Sequence, residues 1–279
     1  MIVTLLIMRF LPWAVAILSA VCVQANEWHA YYRLTSDAYQ AKFNDLVGQG
    51  YRLNSVSGYE RNGQPNFAVI FEKRPSTAWR SHHGMTSAAY QKKFDEYLSQ
   101  GYRVVQVNGY TVGDKVYYAA IWDKSPSAGW VTRHGMTVES MQKYFDEYLK
   151  QGYKLTHISG YELRGEERFA AIWEKQNDKV AWLSYANMTS AEYQSRFDKY
   201  VKDGYRLIDV DGYQVNDHVY YAAIWDKLAS GAWVARHGLD SPSFQAAFDK
   251  YKEEGYVLRA FSGYNSGKED RYAGLWIKP

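Results

Sequence analysis

The sequence predicts an α+β repeat protein made of five β-α-β-β units of about 51 residues each. A tryptophan and two Gly-Tyr pairs recur every 51 or 52 residues, and each interval holds one helical pattern and two apolar strand patterns. The recurring tryptophans are Trp28, Trp79, Trp130, Trp182 and Trp233. They divide a single domain, residues 26–279, into the units 28–78, 79–129, 130–181, 182–232 and 233–279.

Residues 1–25, ahead of the first unit, are predicted to be a secretory signal peptide. An apolar run follows Arg9 and ends at the small-residue pattern Val23-Gln24-Ala25, which is typical of a cleavage site. Cleavage would remove Cys22, the single cysteine of the sequence, and leave a cysteine-free mature chain. An N-terminal membrane anchor is the alternative, because the run is nearly long enough to span a bilayer. With cleavage we expect a secreted, extracellular protein (periplasmic in a Gram-negative bacterium) that has no membrane partner.

A short strand at the tryptophan is predicted to open each unit, and a helix follows it. In unit two Thr86 is the predicted N-cap, and Gly101 supplies the left-handed residue after the helix. The predicted apolar face of this helix consists of Tyr90, Phe94, Tyr97 and Leu98. Two further strands, 102–112 and 116–122, flank a hairpin turn at Gly113-Asp114 and complete the unit.

A unit of this size buries its own apolar surface poorly, so neighbouring units must pack together. We expect the tryptophans to lie at the seams between units. The first and fifth units keep the same pattern as the others, whereas the terminal units of an open array are usually atypical. This favours a closed five-bladed α/β propeller-like ring, with an open solenoid as the alternative.

The composition excludes several classes of protein. A hydrophobic fraction of 47% excludes disorder, and a net charge of +3 is too balanced for a dedicated nucleic-acid binder. One cysteine excludes a disulfide scaffold and a cysteine-rich zinc site. No cofactor and no metal are predicted, and the oligomeric state stays open.

The candidate binding residues lie just before the helices. His-Gly pairs occur there at His83, His134 and His237, and Tyr32 holds the matching position in unit one. Arginines precede two of the histidines. They are Arg133 and Arg236. Because helix N-termini attract anions, these loops are candidates for binding a carboxylate, a sulfate or a sugar hydroxyl. The alternative is that each histidine packs over the neighbouring tryptophan.

Two other patterns are interpreted structurally. Each helix carries a glutamine four residues before an Asn or Asp, which predicts a hydrogen-bonded pair that ties the helix to a neighbouring strand. The glutamines are Gln40, Gln91, Gln142, Gln194 and Gln245. Asn187 begins the sequon Asn-Met-Thr and is a possible glycosylation site in a eukaryote.

The sequence contains no recognisable catalytic constellation. Ser140 to Lys143 read Ser-Met-Gln-Lys, which fits a β-lactamase pattern, but they lie inside a repeat helix and no Lys-Thr-Gly follows anywhere. An enzyme would need residues that differ among units. His157 and Asp209 are two such positions.

The motifs resemble the family called bacterial tandem repeat domain 1. Trp-x-x-x-His-Gly-Met-Thr, Tyr-Gln-x-x-Phe-Asp-x-Tyr and the two Gly-Tyr pairs carry the resemblance, best seen in 79–110 and 130–161. Such repeats are similar to the N-terminal region of fungal polyglycine hydrolases, whose catalytic Ser-x-x-Lys belongs to a separate β-lactamase-like domain. The resemblance therefore implies an accessory repeat region, and it assigns no catalytic residue to this chain.

Three functions follow from these patterns. The first is a secreted, non-catalytic binding protein whose aromatic and histidine loops contact an extracellular glycan or extended peptide. The second is an enzyme, either a hydrolase or one acting on an apolar small molecule, with an asymmetric site at the ring centre. The third is a structural matrix component.

Overall fold

The computed structural model describes residues 27–279. The predicted signal peptide and Cys22 lie outside these residues. The described chain consists of five units, each with one helix and one separate three-stranded antiparallel sheet. Each unit has the predicted order β-α-β-β, and its third strand lies in the middle of its sheet.

The helices are α1 (Ser36–Gly48), α2 (Ser87–Ser99), α3 (Val138–Lys150), α4 (Ser190–Lys202) and α5 (Ser241–Glu253). The first strands are β1 (Trp28–Thr35), β4 (Trp79–Met85), β7 (Trp130–Met136), β10 (Trp182–Met188) and β13 (Trp233–Leu239). The second strands are β2 (Arg52–Arg61), β5 (Arg103–Val112), β8 (Tyr153–Leu163), β11 (Arg206–Val215) and β14 (Val257–Ser266). The third strands are β3 (Gln64–Glu72), β6 (Lys115–Asp123), β9 (Glu166–Lys175), β12 (His218–Asp226) and β15 (Glu269–Ile277). Among the described residues, none of the helices has the length and apolar character to cross a membrane.

Helix ends follow the local sequence signals. Thr86 Oγ1 accepts a hydrogen bond from Ala89 N at 3.2 Å, as an N-cap does. Gly101 has φ +78°, and the next amide, Tyr102 N, donates to Tyr97 O at 2.9 Å. The left-handed backbone that glycine permits therefore ends the helix and turns the chain into the second strand.

The helix of unit two buries a narrower stripe than its spacing predicted. Tyr90 and Tyr97 are buried, and Phe94 packs against the tryptophan of unit three, Trp130. Leu98, which was predicted to lie on the apolar face, is 48% exposed. Its position is about 80° around the helix from Tyr90, which places it at the edge of the buried stripe.

Third strands are buried on both faces, which explains their nearly continuous apolar sequence. In unit two, Tyr118, Ala120 and Trp122 face the unit's own helix. The alternate residues Ala119 and Ile121 belong to the core of unit one. Each core is therefore shared between two consecutive units.

The same sharing joins the fifth unit to the first. The core of unit five contains Tyr59, Ala68 and Ile70 from unit one. The residues at the same repeat positions of units two to five belong to the core of the preceding unit, as Tyr161, Ala170 and Ile172 of unit three do in the core of unit two. The second strand of each unit contacts the second strand of the next, and β14 contacts β2 in the same way. The second strands thus lie side by side in a layer, here called the inner layer, and each helix packs on the strands of its own unit.

Candidate functional site

The histidines before the helices pack against aromatic rings of the preceding unit. The His83 ring lies 4.6 Å from the ring of Tyr39 and 5.0 Å from that of Phe67. His134 and His237 each make the matching pair of contacts with two tyrosines. Burial lowers the pKa of each of these three imidazoles, which favours the uncharged form at neutral pH.

Unit one presents Tyr32 at the same position. Its ring packs against Phe244 and Tyr272 of unit five, at 5.3 and 5.1 Å, and its hydroxyl donates to Gln245 Oε1 at 2.9 Å. Unit four has the small Ala186 there, half-buried in the core of unit three. This position therefore contributes to the seam between units.

The structure does not bring the arginines and histidines of these segments together. Arg133 is exposed and its guanidinium lies over Tyr144 and Tyr148 of its own helix. Arg236 likewise lies over Tyr251. Consecutive residues of a strand point to opposite faces, so each arginine turns toward its own helix and each histidine toward the preceding unit. The expected Arg-His-Gly anion site is not formed.

The residue after each of these histidines has a left-handed backbone conformation, with a positive φ. Gly84 has a φ of +64°, and its amide donates to Tyr110 Oη at 3.1 Å. In units one and four the position holds Arg33 and Asn187, also at positive φ. The glycine of the His-Gly pair therefore recurs because this position needs a left-handed backbone conformation, which glycine adopts easily. Asn187 is exposed at this turn, so the sequon lies on the surface.

The tryptophans at the unit starts pack edge-on against a phenylalanine in the helix of the preceding unit. Trp79 lies 5.7 Å from Phe43, and Trp28 lies 5.4 Å from Phe248 of unit five. The other three pairs are Trp130–Phe94, Trp182–Phe145 and Trp233–Phe197. These indoles thus lie at all five contacts between units.

The glutamines that recur in each helix form hydrogen bonds within their own helices. Gln91 Nε2 donates to Asp95 Oδ1 at 2.9 Å on an exposed helix face. The corresponding pairs are Gln40–Asn44, Gln142–Asp146, Gln194–Asp198 and Gln245–Asp249. Within residues 27–279, the expected tie to a neighbouring strand is therefore found only for Gln245, whose Oε1 accepts from Tyr32 Oη of β1. In the other four helices the amide hydrogen bond of the glutamine joins residues four apart on the same helix.

An array of polar side chains lines the inner layer. Each belongs to a second strand and accepts a hydrogen bond from a glycine amide of the preceding unit. This inner polar array consists of Ser57, Asn108, Ser159, Asp211 and Ser262. The bond from Gly263 N to Ser57 Oγ, at 3.0 Å, links unit five to unit one.

Sequence reasoning did not identify this array, although a signal was present. A small polar residue precedes the second Gly-Tyr pair in every unit. Each such glycine also faces the tyrosine ring of the next unit: a Cβ on Gly58 would lie 2.5 Å from Tyr110 Cδ1. The triplet polar-Gly-Tyr is therefore the element that joins one unit to the next.

A cavity of about 280 Å³ opens at the end of the inner layer where the hairpin turns lie. This hairpin-end cavity is lined by the Gly-Tyr pairs of all five second strands and by the residues that follow these pairs, which vary among units. They include Glu60, Thr111, Glu162, Gln214 and Asn265. Three of them support turns: Glu60 accepts from Gly113 N, Glu162 from Asn216 N, and Gln214 from Gly267 N, at 2.7–2.9 Å.

A smaller cavity of about 170 Å³ lies at the opposite end, beside the bulges of the second strands. In this bulge-end cavity His157 Nδ1 lies 2.9 Å from Asp209 Oδ2, and His157 Nε2 lies 2.9 Å from Val107 O. Both neighbours are acceptors, so both ring nitrogens donate and the ring is an imidazolium. Burial opposes this charge, but Asp209 and the Val107 carbonyl outweigh it and raise the pKa of His157.

Asp211 belongs to both cavities and is 6% exposed. Its carboxyl group accepts from Gly160 N at 2.8 Å and from Ser262 Oγ at 2.9 Å. Burial raises the pKa of Asp211 to about 7, despite these two hydrogen bonds. Within residues 27–279, no group of three or more His, Cys, Asp or Glu side chains has an arrangement that could hold a metal ion.

The family model of the polyglycine hydrolase-like structural repeat matches this chain five times. The matched segments are 25–74, 76–125, 127–176, 179–228 and 230–279. Each begins three residues before one of the recurring tryptophans and ends after the third strand of its unit. Because the five matches cover nearly the whole described chain, this protein belongs to the family of polyglycine hydrolase-like structural repeats.

Proposed function

We propose that this chain is a secreted, non-catalytic binding protein that holds a segment of a neutral glycan in the hairpin-end cavity. The observation that carries the proposal is the lining of that cavity by polar groups from all five units, with several acceptor oxygens. Glu60, Glu162 and Asp217 contribute carboxylates, which suit hydrogen-bond donors and repel anions. Sugar hydroxyl groups supply such donors without a negative charge.

The carboxyl groups of the cavity are held by hydrogen bonds within the protein, which supports binding rather than catalysis. Asp211, whose pKa burial raises to about 7, accepts through one oxygen from Gly160 N and through the other from Ser262 Oγ. Glu162 accepts from Gly165 N through Oε1 and from Asn216 N through Oε2. A carboxylate that holds backbone turns with both oxygens is a poor general base. At the other end of the inner layer, both nitrogens of His157 are occupied, so this ring has no free nitrogen with which to accept a proton. The enzyme alternative therefore has less support.

An extended peptide is the second candidate ligand. The family's description names polyglycine, and a peptide without bulky side chains could also donate its amide N–H groups to the same acceptors. The two ligands are distinguished by testing neutral oligosaccharides and glycine-rich peptides against one set of variants.

The decisive variant is Asn265→Arg. Asn265 lines the cavity, and its side chain makes no hydrogen bond within residues 27–279, although its backbone belongs to the β14–β15 ladder. An arginine there would therefore obstruct the cavity without removing a side-chain contact. Ser266→Arg is the matched control, because the next residue of the strand points to the opposite face. On a glycan array we expect Asn265→Arg to abolish binding and Ser266→Arg to retain it.

The triple variant His83→Ala, His134→Ala, His237→Ala tests the sequence-based alternative. If that variant loses the ligand while Asn265→Arg keeps it, the pre-helix segments are the binding site and the cavity is not. Failure of the wild type to bind any neutral glycan or glycine-rich peptide would contradict the proposed function as a whole.

We also propose that the five units close into a propeller-like ring. The support comes from contacts between units five and one that repeat those between consecutive units: the Gly263–Ser57 hydrogen bond, the Trp28–Phe248 contact and the shared core. An additional ion pair, Arg33 Nε to Asp270 Oδ2 at 2.6 Å, joins the same two units.

A circular permutant tests closure. In this permutant a linker as long as the segment 124–129 joins residue 279 to residue 27. The new N- and C-termini are made by cutting the chain within the segment 124–129. A closed ring tolerates this exchange, so we expect one cooperative transition with Tm within a few degrees of the wild type. An open array would force the short linker to span the whole molecule, and the permutant would misfold or aggregate.

A further inference from the structure

A cavity of about 430 Å³ lies at the junction between units one and two, apart from the hairpin-end cavity. This junction pocket is lined mainly by Arg52, Asn54, Arg74, Arg103, Asp123 and Ser125. Three of these are arginines and one is a carboxylate. Arg74 and Arg103 also pair with carboxylates just outside the lining, those of Glu72 and Glu174, at 3.0 and 2.8 Å. Its lining therefore differs in charge from the acceptor-rich hairpin-end cavity.

The buried arginine in this pocket has fewer hydrogen-bond partners than donors. Arg52 is 5% exposed, and its one hydrogen bond within the described chain runs from Nη2 to Asp123 Oδ2 at 3.2 Å. Its Nε is buried without a partner. A guanidinium has five N–H donors, and burying them without hydrogen-bond acceptors destabilises the folded protein.

The carboxylate that faces Arg52 is already engaged. Asp123 Oδ1 accepts from Ser125 N at 3.0 Å and from Ser125 Oγ at 2.6 Å. Burial and the neighbouring Arg74 lower the pKa of Arg52, although Asp123 and Glu72 act in the opposite direction. The positive charge of Arg52 is thus only partly compensated.

The second arginine is specific to this junction. Arg74 follows the third strand of unit one, and the matching positions hold Ser125, Gln176 and Leu228. Its Nε pairs with the buried Glu72 Oε2 at 3.0 Å, and its Nη2 donates to Asn54 Oδ1 at 3.2 Å. These two contacts position the guanidinium at the pocket. Asn54 is also replaced in the next unit, where the position holds Val105.

We propose that the junction pocket binds an oxyanion group (a carboxylate, sulfate or phosphate) of a small acidic ligand, through Arg52 and Arg74. Planar guanidinium groups bind such oxygens in pairs, and Arg52 has unused donors at the pocket. The pocket is larger than an inorganic ion needs, so it has room for an organic substituent such as a sugar-acid ring. This site is independent of the neutral glycan assigned to the hairpin-end cavity.

The test is calorimetric titration of the full chain with sodium sulfate, sodium phosphate, glucuronate and glucose, at ionic strength held constant with sodium chloride. We expect saturable binding of at least one oxyanion and none of glucose. Tighter binding of glucuronate assigns the site to a sugar acid, whereas tighter binding of sulfate or phosphate assigns it to those groups.

Arg74→Ser is the decisive variant, because it installs the residue of unit two at an incompletely buried linker position. We expect it to weaken oxyanion binding by about tenfold or more. Arg236→Ser removes an equal charge on unit five and should leave binding unchanged. Arg52→Gln should abolish binding, with circular dichroism as the check that the buried substitution is tolerated.

Two results would overturn the proposal. One is a wild-type chain that binds none of the three oxyanions. The other is equal affinity in Arg74→Ser and Arg236→Ser, which would mean that binding reflects net charge alone. Neither result bears on glycan binding at the hairpin-end cavity, since that site shares no residue with the junction pocket.

Discussion

The contact between a glycine and the tyrosine of the next unit is the smallest element of this architecture. Gly58 faces the ring of Tyr110, and its amide donates to Asn108 Oδ1 at 2.7 Å. The absence of a side chain allows the ring to lie directly on the backbone. The same arrangement recurs at every contact between units, so small changes there affect the assembly of the whole chain.

Gly58→Ala should therefore destabilise the protein. The added methyl would overlap the Tyr110 ring, which is itself buried, and overpacking of this kind costs about 1–3 kcal/mol. Gly48→Ala is the control, since no atom lies within 4 Å of a Cβ at that helical position and alanine favours helix by up to about 1 kcal/mol. Chemical denaturation measures both, and equal stabilities of the two variants would contradict the proposed role of Gly58.

Asp211 and His157 of the inner layer make the free energy of unfolding depend on pH. The folded-state pKa of Asp211 is about 7, above its unfolded value of about 3.9, so the native state binds the extra proton. His157 also has a raised pKa. For both groups the stabilising contribution is present at low pH and is lost as pH rises through the folded pKa. We expect this part of the stability to fall between about pH 4 and 8.

Asp211→Asn isolates the effect of Asp211. Unit two already has Asn108 at this position, so the amide fits the site. Asp209 and His157 face the same cavity and stay unchanged. The variant should lose the fall in stability between pH 4 and 7. At pH 8 it should be more stable than wild type, by up to about 4 kcal/mol. Urea denaturation at several pH values measures this, and parallel pH profiles for the two proteins would rule it out.

At the scale of the element, each helix is bounded by its own local signals. The N-caps Thr35, Thr86, Thr137, Thr189 and Asp240 each accept a backbone hydrogen bond from the first turn. Helix α4 has in addition a capping box, in which Glu192 Oε2 accepts from Thr189 N at 2.9 Å. These signals do not depend on neighbouring units, so the sequence predicts the element order well.

Thr189→Ala removes the cap of α4 and should cost about 1 kcal/mol, which corresponds to a Tm lower by about 2–4 °C for a chain of this length. Thr189→Ser retains the hydroxyl and should be nearly neutral. Both proteins are compared by thermal denaturation after expression in a host without N-glycosylation, because Thr189 also belongs to the sequon. A Tm loss as large in the serine variant would show that packing of the methyl group, and not capping, is responsible.

At the scale of the molecule, no unit has a complete core of its own. Each core includes at least a tyrosine, an alanine and an isoleucine or leucine from the following unit, and the core of unit five takes these residues from unit one. Stability therefore depends on the number of junctions that are formed. Four units would leave two unpaired faces, whatever the quality of each unit's local structure.

Deletion of residues 233–279 should abolish the cooperatively folded monomer. It exposes Trp28, Tyr32 and Tyr59, which pack against unit five, and leaves Tyr221 without the hydroxyl of Tyr264. Exposed aromatic surface of this size favours aggregation or association between chains. Light scattering after size exclusion, with a thermal scan, would detect either. A soluble monomer with an unchanged Tm would contradict the interdependence of the units.

The candidate sites were less predictable than the repeats. His157 and Asp209 stood out in the sequence because they break the repeat, and the structure places them in contact at 2.9 Å. The pre-helix histidines stood out because they recur, yet recurrence there reflects packing against aromatic rings and a left-handed backbone after the histidine. Arg52 and Arg74 were not recognised, because only the junction of two units brings them to one pocket.

The sequence by itself determined the number of units, the order β-α-β-β and the ends of the helices, because caps, turn glycines and apolar periodicity act over a few residues. The tertiary structure alone decided which side chains meet between units. Second strands from different units lie side by side, so residues about 51 positions apart, such as Asn108 and Ser159, become neighbours at 3.1 Å. Short-range patterns specify each unit, whereas burial and hydrogen-bond satisfaction across the junctions decide where the cavities lie and which charges line them.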